Sequence, residues 1–310
     1  MLGVGAVGHH QEMSNRKPLP PTYSDRLLEQ LAAIEEDFVT VLEASTIHYV
    51  NPNRRGRMTY TLGAADWGWG PSTPEVERRR MELLGRLRDW EPRFRLLFPH
   101  PTPETGKKLD QNLGLLQRWL IRPDKGYDHS IPQHVHQAVD ALHAAVAQLR
   151  GLTGLLPEDE WPVRLVVDTN ALIDNPDLAA YNAEVGPRYI AHLLPVVLRE
   201  IDDHKRGGRT PELREAAKKA DRRLKGLRSN GGDVTRGVRV AGDVHAVFEH
   251  IEPKSDALPA WLDLDVPDDR FVASALLLQS RHPGSAWYVV TSDLNLQTKL
   301  AAVSLPFLEP

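Results

Sequence analysis

The chain has 310 residues, of which 41% are hydrophobic and 26% charged, enough to pack one large domain or two ordinary ones. Its formal net charge is −4, so a surface that grips nucleic acid must be a local patch and not the whole molecule. There is no cysteine, which excludes disulfides, thiolate metal sites and cysteine nucleophiles. No apolar run approaches the roughly 18 residues that span a bilayer, and the N-terminus has no basic-then-apolar leader. The expectation is a soluble, cytoplasmic protein without membrane contact.

Residues 1–22 are rich in Gly and Pro and read as a disordered arm. Leu27, Leu31, Ile34, Phe38 and Leu42 then recur at helical spacing behind a Ser24 or Asp25 cap. Residues 46–74 break that pattern with Asn, Gly and Pro, leaving a short strand over Thr59 to Leu62 as a weak signal. Thr73-Pro74-Glu75 starts a helix with Met81, Leu84, Leu87 and Trp90 on one face, ended or bent by Pro92. Further helices are expected from Pro103 to Ile121 and from Pro132 to Leu149. Residues 23–150 therefore read as a mainly helical domain, and 151–162 as a linker.

Beyond Trp161 the texture changes. Val163 to Val167 and Leu193 to Leu198 read as buried strands, and Trp287 to Val290 as another. Val238 to Val240 and Val244 to Ile251 are weaker strand candidates. Helical patterns lie between them at about 199–206, 211–228, 268–281 and 293–302. Strands alternating with helices imply an α/β domain over 163–310, with a mainly parallel sheet covered on both faces.

Acids fall where these elements meet. Asp168 follows the first strand, Glu200 follows the second, and Asp293 follows the last, while Asp268 and Asp269 open a helix. In an open α/β sheet, ligands bind outside the carboxyl ends of the strands. Carboxylates that converge there repel one another unless a cation joins them. An all-oxygen cluster without cysteine or nearby histidine selects Mg²⁺ or Mn²⁺ over zinc. Each acid alone has a plainer role, because Asp and Glu also cap helices and favour their first turns.

Four stretches, in this order and spacing, resemble the PIN-domain family. They are Val166-Val167-Asp168-Thr169-Asn170, Pro195-Val196-Val197-Leu198-Arg199-Glu200-Ile201-Asp202, Asp268-Asp269-Arg270-Phe271-Val272, and Val290-Thr291-Ser292-Asp293. The resemblance spans roughly 163–308. It implies a three-layer α/β/α fold and a metal-dependent nuclease, in many members an endoribonuclease on single-stranded RNA using Mg²⁺ or Mn²⁺. It assigns Asp168, Glu200 and Asp293 as metal ligands and catalytic acids. The third acid is Asp269 or Asp268, with Asp269 preferred because it stands three residues before the apolar Val272. Thr291 and Asn170 are the supporting polar residues. Pro267 departs from the family, whose members often carry a polar residue there.

Between His204 and Arg239 the charge turns positive. Lys205, Arg206, Arg209, Lys218, Lys219, Arg222, Arg223, Lys225 and Arg228 are candidate RNA contacts. Lys218, Arg222 and Lys225 share a helix face. Such a run is also what a solvated helix looks like. The helical half resembles no family. Trp67, Trp69, Trp90 and Trp119 fit its core better than RNA stacking beside Arg54, Arg55 and Arg57. His134, His136 and His143 lack the pattern of a zinc site. Alternatives to a nuclease are a PIN-fold module that binds RNA or protein, or a toxin held by an antitoxin. The helical half can serve to select substrate, to form a homo-oligomer or to restrain the nuclease.

Overall fold

The computed structural model describes residues 20–50, 66–122, 129–230, 233–254, 258–259 and 261–310. Residues 1–19 of the expected arm, the strand over Thr59 to Leu62 and the Arg54 to Arg57 group lie outside the described residues.

The helical half comprises α1 (Tyr23–Glu43), α2 (Pro74–Arg95), α3 (Pro103–Ile121) and α4 (Val135–Leu152), with a small antiparallel pair β1 (Ile47–Val50) and β2 (Asp66–Trp69). The apolar stripe of α1, Leu27 to Leu42, is buried as its spacing predicts. Trp90 and Trp119 are fully buried, and each indole finds an acceptor: Leu27 O at 2.9 Å and Ser130 Oγ at 3.0 Å. Trp69 lies edge-on to Trp119 and beneath the Arg122 guanidinium. Three helices begin with the same tripeptide, Thr73-Pro74-Glu75, Thr102-Pro103-Glu104 and Thr210-Pro211-Glu212, and in each the threonine hydroxyl accepts an amide of the first turn. Threonine satisfies an orphan N–H, proline at the first position needs no acceptor, and the glutamate favours the positive end. α2 passes through Pro92 instead of ending there, held by Trp90 stacked on Phe94 at 4.7 Å.

The other half follows the expected α/β plan. Its elements are β3 (Val163–Val167), α5 (Thr169–Asp174), α6 (Asn182–Val185), β4 (Arg188–Leu193), α7 (Pro195–Gly207) and α8 (Pro211–Leu227). They continue with β5 (Val238–Ala241), β6 (Asp243–Phe248), α9 (Pro267–Arg281), β7 (Ala286–Val290), α10 (Leu294–Ala302) and β8 (Phe307–Leu308). The sheet order is β5-β6-β4-β3-β7-β8, parallel except for β5. The chain moves from β3 to one side through β4 and then returns to its other side with β7. A crevice at the carboxyl ends of β3 and β7 is therefore a topological switch point.

One expected strand is a helix start instead, and β1, β2 and β4 are strands the sequence did not announce. Leu193 to Leu198 is not a strand: β4 ends at Leu193, and Pro195 opens α7. Proline cannot donate to a ladder but suits the first helical position. Val196 and Val197 are buried as helix residues, so their β-branching marks the core and not a strand. Glu200 consequently projects from the second turn of α7.

The stretch before β3 is anchored. Asp159 pairs with Arg164 of β3 at 2.6 Å, and both side chains are almost wholly buried. Arg164 also donates to Ser285 Oγ and to His192 Nε2, whose ring meets Glu249 through Nδ1.

Candidate active site

β3 delivers Asp168 to the carboxyl edge of the sheet, where it caps α5 by accepting the Ala171 amide at 2.7 Å. Its other oxygen accepts the hydroxyl of Thr291, the residue just past β7. Thr291 is fully buried, and its oxygen also accepts the Asp293 amide at 3.0 Å, so one hydroxyl ties two acids to each other. Asp293 caps α10 through the Asn295 and Leu296 amides. Glu200 accepts the hydroxyl of Thr169. Capping and convergence are thus not alternatives for Asp168 and Asp293, which do both.

A cleft of about 150 Å³ is lined by Asp168, Thr169, Asn170, Glu200, His204, Asp268 and Asp293, among others. Burial pushes the Asp168 carboxyl above its ordinary value, and the charge of Asp293 adds to the shift against its hydrogen bonds. Glu200 is also raised, first by burial and then by the charges of Asp268 and Asp168, against the Thr169 hydroxyl and His204. Asp168 therefore feels the charge of Asp293, and Glu200 those of Asp268 and Asp168, across the cleft.

The adjacent acids of α9 are placed differently. Asp268 lines the cleft, and its Oδ2 accepts Asn295 Nδ2 at 2.9 Å. Asp269 points elsewhere: it accepts the Asp263 amide at 2.9 Å and pairs with Lys299 at 2.7 Å. Burial would raise the Asp269 carboxyl, but Lys299 and the Asp263 amide outweigh it and hold it below its usual range. Consecutive helix residues stand about 100° apart, so the two carboxyls leave α9 in different directions, although Lys299 reaches both.

A second correction concerns histidine. The expected acid cluster without a nearby imidazole in fact includes one, because His204 lines the cleft one turn beyond Glu200 on α7. The i, i+4 spacing within one helix is the signal that could have found it. Sequence reasoning also missed Thr169, adjacent to Asp168, and Lys299, which reaches both Asp268 and Asp269 from α10.

Among the described residues, no three Asp, Glu or His side chains stand close enough together to hold one metal ion. The kind of donor does fit a hard divalent cation: carboxylates are the main ligating groups on the walls, and an ion between them would offset the burial and mutual repulsion that raise Asp168 and Glu200.

The basic run forms the end of α7 and all of α8. Arg206, Arg209, Lys219, Arg222, Arg223 and Arg228 are exposed. Lys218 and Lys225 are exposed too, but pair with Glu215 and Asp221 on their own helix. Lys205 is engaged otherwise than expected: it bridges Asp202 at 2.7 Å and Asp221 at 2.8 Å, bracing α7 against α8. In the helical half, His143 pairs with Glu35, and His134 stacks on His136. No described helix is long and apolar enough to cross a membrane.

No curated protein matches the chain. Residues 165–306 match the family model of the PIN domain, which covers β3 to the turn before β8. With the parallel sheet and the acidic cleft at its carboxyl edge, this part of the chain belongs to the PIN-domain family, whose members are generally metal-dependent nucleases.

Proposed function

We propose that the PIN domain is an endoribonuclease that hydrolyses phosphodiester bonds in single-stranded RNA with Mg²⁺ or Mn²⁺. The observation that carries this reading is the meeting of Asp168, Glu200, Asp268 and Asp293 on the walls of one cleft at the switch point of the sheet. These four would hold the metal once drawn closer together, with the His204 imidazole beside them on the cleft wall. A bound ion of this kind polarises a phosphate and makes water a stronger nucleophile near neutral pH. The protein's own part is orientation. The Ala171 amide and the Thr291 hydroxyl fix Asp168, Thr169 fixes Glu200, and Asn295 fixes Asp268. Arg206 lies on α7 two residues after His204, Arg209 lies just beyond the end of that helix, and neither has an ion-pair partner among the described residues, so they are free to meet the RNA backbone. The products are a 5′-phosphate and a 3′-hydroxyl.

The test is cleavage of a labelled single-stranded RNA panel with Mn²⁺, Mg²⁺ or EDTA. Metal-dependent cleavage by the wild type and none by Asp168→Asn is the expected result. Cleavage shared by both proteins would locate the activity elsewhere. A second reading, RNA binding without cleavage, is favoured by the spacing of the acids and by the Lys299 ammonium set against Asp268 and Asp269. RNA retained without cleavage in any metal would support it.

A further inference from the structure

The seam between the helical half and the PIN domain holds hydrogen-bond donors that have no acceptors. Tyr23 is 2% exposed, and its hydroxyl has no partner. One turn along α1, Arg26 buries Nε and Nη2, and neither has a partner. Arg93 of α2 is 7% exposed and spends Nε on the Asp89 carbonyl and Nη1 on the Val303 carbonyl. The charges of both arginines reach the Tyr23 hydroxyl, and that of Arg93 reaches Arg26. Among the described residues neither arginine pairs with a carboxylate. Glu29 and Asp89 act on them only through space.

Such an arrangement is unfavourable as it stands. A buried guanidinium without a counter-charge costs more than the pair it lacks would return, and each buried donor left open adds its own desolvation. Burial accordingly holds both arginines below their usual pKa. The open Arg26 nitrogens can only donate and the Tyr23 hydroxyl can donate, beside two positive charges, so the missing component is an anion with several acceptor oxygens. One turn further on, Gln30 Oε1 is buried without a partner. It is an acceptor and asks for a hydroxyl. Gln30 and Arg93 line a cavity of about 230 Å³ with Arg86, Asp89, Ala302 and Ser304, which gives room for the hydroxyl-bearing group that carries the anion.

We propose that Tyr23, Arg26 and Arg93 form a phosphate-binding site at this seam, with Gln30 and its cavity receiving the hydroxyl-bearing remainder of a phosphate monoester. The site is separate from the acidic cleft. The Tyr23 amide is bonded to Ser285, just before β7 begins, whereas Thr291 and Asp293 follow its end. Five strand residues between them span about 16 Å. The bound phosphate would clamp α1 and α2 to the PIN domain, a role for the helical half that does not depend on the nuclease reading.

The experiment is calorimetric titration and thermal unfolding of the full chain in EDTA at constant ionic strength, so that metal-mediated binding in the cleft plays no part. The probes are orthophosphate, a 5′-mononucleotide, and a short RNA with either a 5′-phosphate or a 5′-hydroxyl. Saturable orthophosphate binding that raises Tm by several degrees is expected, with affinity at least tenfold weaker in Arg26→Met and Tyr23→Phe. Arg26→Met should unfold at a higher temperature than the wild type without phosphate, because it removes an unpaired buried charge, so loss of binding there cannot be ascribed to misfolding. Tighter binding of the mononucleotide would identify a free nucleotide as the source, and a preference for the phosphorylated RNA would identify an RNA end. No saturable binding of any probe, or binding unchanged in Arg26→Met, would overturn the site.

Discussion

A carboxylate that already accepts a hydroxyl is aimed before anything reaches it, and Thr291 does this for Asp168. Thr291→Val keeps the shape and removes the hydroxyl. Loss of such a supporting bond typically lowers metal affinity or activity about 10- to 100-fold. That fall in Mn²⁺ affinity, with an unchanged circular dichroism spectrum and rescue by Thr291→Ser, is the expected outcome. The adjacent acids of α9 should separate in the same assay. Asp268→Asn should abolish cleavage, while Asp269→Asn, which loosens Lys299 and the Asp263 turn, should chiefly lower Tm. Equal losses of cleavage from both would return Asp269 to the site. A different residue sets the acid limit of the fold. Burial, outweighing the Glu249 hydrogen bond, holds His192 down to about 4 from an ordinary 6.5. Arg164 donates to Nε2, so Nδ1 carries the proton that faces Glu249. The unfolded chain therefore takes up a proton below about pH 6.5 that the folded chain refuses until about pH 4. This group costs nothing at pH 7, and its penalty grows as pH falls through that window, to at most about 3 kcal/mol. Glu249, raised by burial but held lower by His192, adds to the loss at still lower pH. Urea unfolding at pH 7 and pH 5 should show the decline, and His192→Gln should flatten it.

At the scale of elements, periodicity is a sound guide where one face of a helix is buried, as in α1, α3 and α8. It fails at Pro195-Val196-Val197-Leu198, because an apolar β-branched run reads alike in a buried strand and in a buried helix turn. The neighbouring β4, with Arg188 and His192 among its residues, hides behind polar side chains whose partners are remote in sequence. Asp168, Asp268 and Asp293 are legible because each ends a strand or begins a helix, whereas Glu200 lies on the second turn of α7; Lys299 is not, since nothing local marks a lysine that crosses from α10 to α9. The paired state of Lys205 is equally hidden, as Asp221 lies on the next helix. Charge along the end of α7 and on α8 carries its own expectation. Arg206, Arg209 and Lys219 are exposed and have no ion-pair partner among the described residues. Replacing all three with alanine should weaken RNA binding and reduce the salt dependence, log K against log salt, by about 0.7 for each phosphate no longer neutralised. An unchanged slope in filter binding across a salt series would assign the run to solvation alone.

For the molecule as a whole, the two halves share one apolar core, and the polar bonds at their seam are few. The Tyr23 and Ser24 amides donate to Ser285 and Pro283, and Arg93 reaches Val303. Around these bonds lie open donors and a cavity of about 230 Å³. The sheet itself is bonded on both sides of β3, with β4 and β7 in register along its length. Local opening needs less free energy where apolar packing is thin and polar groups are unsatisfied. The Tyr23 and Ser24 amides should therefore exchange with solvent through an opening that costs less than the one exposing the Leu165 amide in β3. Native-state hydrogen exchange in mild denaturant reads both. A shallow dependence on denaturant for the seam amides, beside a steep one for β3, would mean that α1 can leave the PIN domain without unfolding it. Coincident, steep behaviour would mean that the halves open only together, and that the helical half is part of the PIN domain's own stability.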